Sequence, residues 1–313
     1  MMSEFKHISV LLNESVDMLG VKPSGVYVDG TLGGGGHAEL VCSKLSGDAT
    51  FIGVDRDMTA IKAASKRLEK YKNITKIVHS NFADIKNVLS ELGINGIDGA
   101  ILDLGVSSPQ LDTAERGFSY NMDARLDMRM NQEDKLSAYE VVNEYSESEL
   151  SKIIFDYGEE RFARQIARAI CEKRKEKDIG TTLELCEIIK NAYPVKMRFQ
   201  DKHPAKRTFQ AIRIEVNNEL GILRQAICDF VDVLNPGGVL SVITFHSLED
   251  RIVKQTFSDL ASGCECPKDF PICVCGKKPK VKLVNKKPIV SGTAELQENM
   301  RAHSAKLRAV KKI

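Results

Sequence analysis

The sequence predicts an α/β fold: a parallel sheet with helices on both faces, interrupted by an all-helical insertion. Three observations carry this. Short β-branched runs alternate with helical patterns over the first hundred residues. From about Leu111 to Ile214 strand character nearly vanishes while helical periodicity persists. Alternation then resumes, with Pro236-Gly237-Gly238 leading into an apolar run. A length of 313 residues suits about two domains. They are expected as a discontinuous sheet domain, 1–110 with 214–313, and an insertion over 111–213.

In chain order, Val26 to Val28 is the first predicted strand, followed by a glycine loop and a helix from about His37 to Leu45. Phe51 to Val54 is the second strand, and the next helix carries Ala60, Ala64 and Leu68 at a spacing of four. Ile74 to His79 is the third strand and Ala100 to Leu102 the fourth. In the insertion, Phe162, Ile166 and Ile170 share a helix face, with Arg161, Arg164, Arg168 and Lys175 opposite. A helix from about Glu215 to Leu234 and a fifth strand from Val239 to Phe245 complete the pattern.

The loop Asp29-Gly30-Thr31-Leu32-Gly33-Gly34-Gly35-Gly36-His37 follows the first strand directly. Glycines there let backbone approach a ligand and present amide N–H groups at a helix start. The stretch fits the dinucleotide pattern G-x-G-x-x-G/A, although four consecutive glycines fit many patterns. Four flexible residues cost conformational entropy that a plain turn does not require, which favours a ligand. Asp55 ends the second strand, where a carboxylate accepts from ribose hydroxyls. NAD and S-adenosylmethionine both carry a ribose. Asp29 separates them: a carboxylate beside the loop repels a pyrophosphate and suits an ammonium. The polar, proline-containing end of the fourth strand, Asp103 to Gln110, resembles the loop with which amino-methyltransferases hold an exocyclic amine. Methyl transfer is the better reading, with an NAD-dependent oxidoreductase as its rival.

Several segments together resemble the bacterial 16S ribosomal RNA cytosine-N4 methyltransferase family. They are HISVLLNESVDML, DGTLGGGGHA, DLGVSSPQLDTAERGFS, LDMRM, YGEERFARQIARAI, HPAKRTFQAIRIEVNNEL, FHSLEDRIVK and ENMRAHSAKLRAV, running from His7 to Val310. The resemblance implies a Rossmann-like class I methyltransferase domain with an inserted all-helical domain for RNA recognition. It also implies S-adenosylmethionine as methyl donor and a cytidine of the decoding region as substrate. Carried over by position, the cofactor contacts fall on Gly35, Gly36, His37, Asp55, Phe82, Asp103 and Gln110. The residues allow plainer roles too: Phe82 as core, His37 as a helix cap. Ser107, Ser108 and Pro109 are the catalytic candidates, as oxygen acceptors for the amine hydrogens. Arg207, Gln210 and Arg213, at helical spacing of three, and His246 after the fifth strand are the candidate RNA contacts. A salt-bridged surface face and a helix cap are their alternatives.

Cys264-x-Cys266 and Cys273-x-Cys275 lie where many relatives have no cysteine, so the resemblance is silent on them. Four thiolates could complete one tetrahedral zinc site, but the spacing departs from the usual C-x-x-C knuckle. Zinc and four free thiols both stay open. No apolar run reaches the roughly 18 residues of a membrane span. The N-terminal stretch lacks the basic start and long apolar core of a secretory signal. Eight cysteines without an export signal point to a reducing, cytoplasmic location.

The net charge of +2 suggests at first that nucleic acid is excluded. Its distribution says otherwise. Residues 112–160 carry −8, residues 161–213 carry +8 and residues 276–313 carry +9. Two basic segments favour a polyanionic partner, 16S ribosomal RNA or the small ribosomal subunit, with a homodimer left open. An RNA-binding assembly factor that holds the cofactor without turnover is the alternative from another class.

Overall fold

Leu12–Leu19 forms α1, which stops at Gly20 in the left-handed region. There follow β1 (Val26–Asp29), α2 (Gly36–Cys42), β2 (Thr50–Asp55), α3 (Met58–Arg67), β3 (Thr75–His79), α4 (Ile85–Glu91) and β4 (Ile97–Asp103). Among the described residues six α-helices come next: α5 (Ser108–Asp112), α6 (Ala138–Glu144), α7 (Glu147–Gly158), α8 (Ala163–Lys173), α9 (Thr182–Ala192) and α10 (Ala205–Asn217). The chain then makes α11 (Glu219–Val233), β5 (Leu234–Thr244), α12 (Ser247–Ala261), β6 (Val281–Leu283), α13 (Thr293–Glu298) and β7 (Lys306–Lys312). This computed structural model describes residues 9–198, 203–264, 266, 270, 272 and 275–313.

Among the described residues the strands form one sheet, ordered β3-β2-β1-β4-β5-β7-β6. The first five run parallel, while β7 lies antiparallel to both β5 and β6. That is the Rossmann-like class I methyltransferase arrangement. The interiors of β2 and β4 are almost continuously buried, as strands covered by helices on both faces must be. Phe51, Ile52 and Val54 are at most 1% exposed, which is why this run reads as apolar without alternation.

The contacts divide the chain into two units, Met1–Gly105 with Leu220–Ile313, and Val106–Glu219. The domain limits expected at 110/111 and 213/214 thus fall at 105/106 and 219/220, placing Ser107 to Gln110 with the helices. The second unit has its own core, in which Leu126, Leu150, Ile154, Ile166, Ile170, Ile189 and Ile212 are fully buried. Arg164 and Arg168 lie on the exposed face of α8, opposite Ile166 and Ile170.

One helix expectation needs correction. The single helix from Glu215 to Leu234 is two helices, broken at Asn218, which takes φ +48°. Asparagine tolerates that left-handed conformation, and apolar periodicity alone does not reveal the break. The basic segment beyond Gly276 supplies β6, α13 and β7. Its Lys280 and Lys306 pair with Asp232 and Asp250, so part of its charge is spent inside the fold.

Candidate active site

In an open parallel sheet the ligand crevice lies beyond the carboxyl ends of the strands, where the strand order reverses. Here β1 is flanked by β2 and β4, and each of the three ends in an aspartate: Asp29, Asp55 and Asp103. Thr31 ties two of these ends together. Its hydroxyl accepts from Asp103 N–H at 2.6 Å and lies 3.5 Å from Asp29 Oδ1, which also accepts from Thr31 N–H at 3.1 Å. Asp55 shapes the glycine loop, accepting from Gly33 N–H at 2.7 Å and from Asp57 N–H at 2.8 Å. Two carboxylate lone pairs are thereby used, and among the described residues no other hydrogen bond to this carboxylate is seen.

The loop needs its glycines at two places for different reasons. Gly35 caps α2 at φ +77°, where an added Cβ would also lie 3.3 Å from Ala64 Cβ. A Cβ on Gly36 would collide with Ser9 Oγ. Gly35→Ala is expected to destabilise the unliganded protein by about 1–2 kcal/mol, the cost of a left-handed non-glycine residue. Urea denaturation measures it, and an unchanged midpoint at an unchanged slope would refute it.

The electrostatics are those of a buried acidic cluster. Asp29 is 2% exposed, and its carboxyl is pushed up to about 7, mainly by burial, with the charge of Asp55 adding. Burial also lifts Asp103 well above the usual carboxylate range, with Asp29 and Glu249 adding repulsion. Asp55 is raised by burial, against which the Asp57 and Gly33 amides work. His37 is 4% exposed, and its Nε2 donates to Val10 O at 3.1 Å. In the neutral ring Nδ1 then carries the lone pair, and it faces Asp103 Oδ2 at 3.8 Å. Asp103 Oδ1 is buried and has no hydrogen-bond partner among the described residues.

Gly35, Gly36, His37, Asp55 and Asp103 therefore gather at the carboxyl edge of the sheet. Phe82 opens a 3-10 turn after β3, half-buried against the core and close to Gly30. Gln110 is in the helical unit, 4% exposed, where its Oε1 accepts from Ser107 N–H at 2.9 Å. Ser107 and Gln110 form the capping box that starts α5, with Pro109 in its first turn. The carbonyls of Ser107 and Pro109 each already accept one helical N–H.

His246 proves to be the N-cap of α12, in a capping box with Glu249. Of the three arginine and glutamine candidates on α10, Arg213 is held by Glu219 in a two-pronged pair at 2.8 and 3.0 Å, both side chains mostly buried. That makes it a structural tie, where an RNA-facing side chain was expected. Gln210 donates to Tyr157 O. Arg207 donates to Glu159 O and keeps a 53% exposed side chain. Of the four cysteines, Cys273 lies outside the described residues, and Cys264, Cys266 and Cys275 cluster after α12. Sequence reasoning missed Thr31 and Glu249. The second was open to detection, because His246-x-x-Glu249 before an apolar helix has capping-box spacing.

A family model described as the MraW methylase family matches residues 4–313. The chain belongs to the MraW methylase family. The match runs through both units, so the helical insertion is part of the MraW family's pattern as much as the sheet. A relative from Clostridium botulinum (strain Kyoto / Type A2) named ribosomal RNA small subunit methyltransferase H is 59% identical, covering 99% of this chain and 100% of its own. A relative of the same name from Brevibacillus brevis is 53% identical, covering 99% of this chain and 98% of its own. Among solved structures, an rRNA methylase from Streptococcus thermophilus aligns at TM-score 0.43 and 12% identity, covering 98% of this chain and 99% of that one.

Proposed function

We propose that this protein transfers a methyl group from S-adenosylmethionine to the exocyclic N4 of a cytidine in the decoding region of 16S ribosomal RNA, in the cytoplasm. One observation carries the reading: Asp103 Oδ1, buried without a hydrogen-bond partner among the described residues, beside Asp29 at the strand ends. An ammonium is the group such an oxygen suits, and a pyrophosphate is the group it repels, which disfavours NAD. The relatives' name supports the small-subunit RNA, and the DLGVSSPQLD segment supports the N4 target.

When bound, S-adenosylmethionine supplies an electrophilic methyl on a sulfonium. The chain's own work is to hold and orient. Asp103 and Asp29 take the ammonium, the unused Asp55 lone pairs accept from the ribose, and Phe82 lies against the adenine. Gly35 and Gly36 admit the ligand close to backbone, while Gln110 holds the α5 start. Cytosine N4 is a poor nucleophile because its lone pair is delocalised into the ring. Acceptors aimed at its hydrogens help most as the nitrogen becomes tetrahedral and positive. The Ser107-Ser108-Pro109 segment supplies these from carbonyl oxygens, which keep a second lone pair. Orienting the two reactants contributes up to about 7–11 kcal/mol in well-aligned cases.

The helical unit takes the RNA, with Arg207 and the exposed row of Arg164 and Arg168 on its phosphates. Affinity is then expected to fall as salt rises despite the near-neutral total charge. Arg207→Ala should lower the salt slope of RNA binding by about 1 and reduce kcat/KM for RNA, leaving cofactor affinity intact. A parallel loss of cofactor affinity would count against this contact.

The reading is tested by incubating the protein with labelled S-adenosylmethionine and small-subunit RNA or particles, then digesting to nucleosides. Label in N4-methylcytidine supports it. Label in another nucleoside overturns the N4 assignment. Binding of RNA and cofactor with no label in any particle state favours the assembly-factor alternative.

A further inference from the structure

The connection from α12 to β6, residues 262–280, has a closed neck and carries a cluster of cysteines. Lys280 N–H donates to Leu260 O at 2.8 Å, and a Cβ on Gly263 would lie 3.3 Å from Pro279 Cδ, so the two ends of the excursion touch. Among its described residues the connection has no helix or strand, and connections this long without either are uncommon in a compact domain unless they serve a function or act as linkers.

Within the loop, the Sγ atoms of Cys264, Cys266 and Cys275 all lie within 4.8 Å of one another. Cys264 and Cys275 Sγ are 3.8 Å apart. Four sulfurs at a Zn–S distance of about 2.3 Å form a tetrahedron with edges of about 3.8 Å, whereas a disulfide needs about 2.05 Å. The backbone adds a second observation. Cys266 N–H donates to Cys264 Sγ at 3.4 Å, which fixes that sulfur within the cluster. Lys277 and Lys278, two and three positions after Cys275, offset the negative charge that several thiolates on one divalent ion would leave.

We propose that Cys264, Cys266 and Cys275 bind one zinc ion, which staples the α12–β6 loop. Soft thiolates select a borderline-soft ion over magnesium or calcium, and zinc has no redox chemistry that would consume them. Cys273 lies outside the described residues, and the proposal does not rest on it. The site is independent of the methyl-transfer reading and would stand if that reading failed.

The test uses the full chain purified under anaerobic conditions from zinc-supplemented medium. Elemental analysis should find about one zinc per chain, and about 0.1 or less in a C264S/C275S double variant. After chelation, cobalt(II) added to the wild-type protein should give the thiolate charge-transfer and intense visible bands of a tetrahedral site. Proteolysis within 262–280 should speed up on chelation and slow again when zinc is restored, a reversal that does not depend on any variant folding. A wild-type chain without zinc that gives no cobalt bands overturns the proposal. So does iron in place of zinc, or undiminished zinc in the double variant.

Discussion

Asp103→Ala is expected to weaken S-adenosylmethionine binding by about 100-fold, close to 2.7 kcal/mol, without weakening the unliganded fold. Hydrogen bonds to charged groups contribute about 1.5–3 kcal/mol, and a desolvated ammonium left without its partner costs more. The fold should tolerate the change because the carboxylate is a burden before ligand arrives. Burial, with Asp29 and Glu249, raises its folded pKa above the unfolded one. The folded state therefore holds the proton longer, and stability falls as pH rises above the ordinary carboxylate range. Asp29 behaves in the same way, losing stability between about 4 and its raised value of about 7. A cationic ligand reverses the balance, because it prefers both groups ionised. Affinity should thus rise with pH up to and through about 7, with protons released on binding. Calorimetry at several pH values, in buffers of different ionisation enthalpy, counts those protons. Equal affinity in wild type and Asp103→Ala would remove the ammonium assignment.

The second large effect is structural. Asp250→Ala is expected to cost about 3–5 kcal/mol, the usual penalty for stranding a buried charge. Arg308 Nε donates to Asp250 Oδ1 at 2.6 Å and Nη2 reaches Oδ2 at 3.3 Å, with both residues 8% exposed. Lys306 Nζ adds a contact at 3.0 Å. This cluster fastens β7 to α12. For Asp250, burial alone would raise the pKa, but the Arg308 and Lys306 partners outweigh it and hold the carboxyl below its usual range. The sign is then opposite to that of Asp103. The pair's contribution is present at neutral pH and is lost as pH falls through the depressed value, below about 4. Denaturation at pH 7 should show the full difference between wild type and variant, and the gap should narrow in acid. An Asp250→Leu/Arg308→Met double variant should recover most of the loss, because hydrophobic replacement of a buried pair is often neutral. A gap unchanged in acid would refute the ion-pair account.

What could be read from sequence followed physical range. Alternation over 26–103 reported the parallel strands because a strand covered on both faces has to be apolar throughout, as Phe51 to Val54 is. The glycine loop was legible because few needs justify four glycines after a strand. Asn218 was not, since a single left-handed residue leaves the apolar period on both sides intact. Lys306 to Lys312 hid its strand for another reason. Asp250, which neutralises part of its charge, is 58 positions from Arg308 in the sequence and beside it only in the fold. Arg213 misled for the same reason, because its partner Glu219 lies across the helix break. The acid cluster stood between these cases. Asp29, Asp55 and Asp103 each mark a strand end in the sequence, but their mutual repulsion depends on strand order.

The place of β7 bears on how the protein is made. A chain leaving the ribosome exposes β5 well before its outer neighbour exists, since Thr244 and its partner Lys306 are 62 positions apart. During that interval the outer edge of a buried, apolar strand offers unmatched amides and carbonyls to any passing chain. Nascent protein is therefore at its most aggregation-prone late in synthesis: a holdase should raise the soluble yield, and slow translation across 245–305 should lower it.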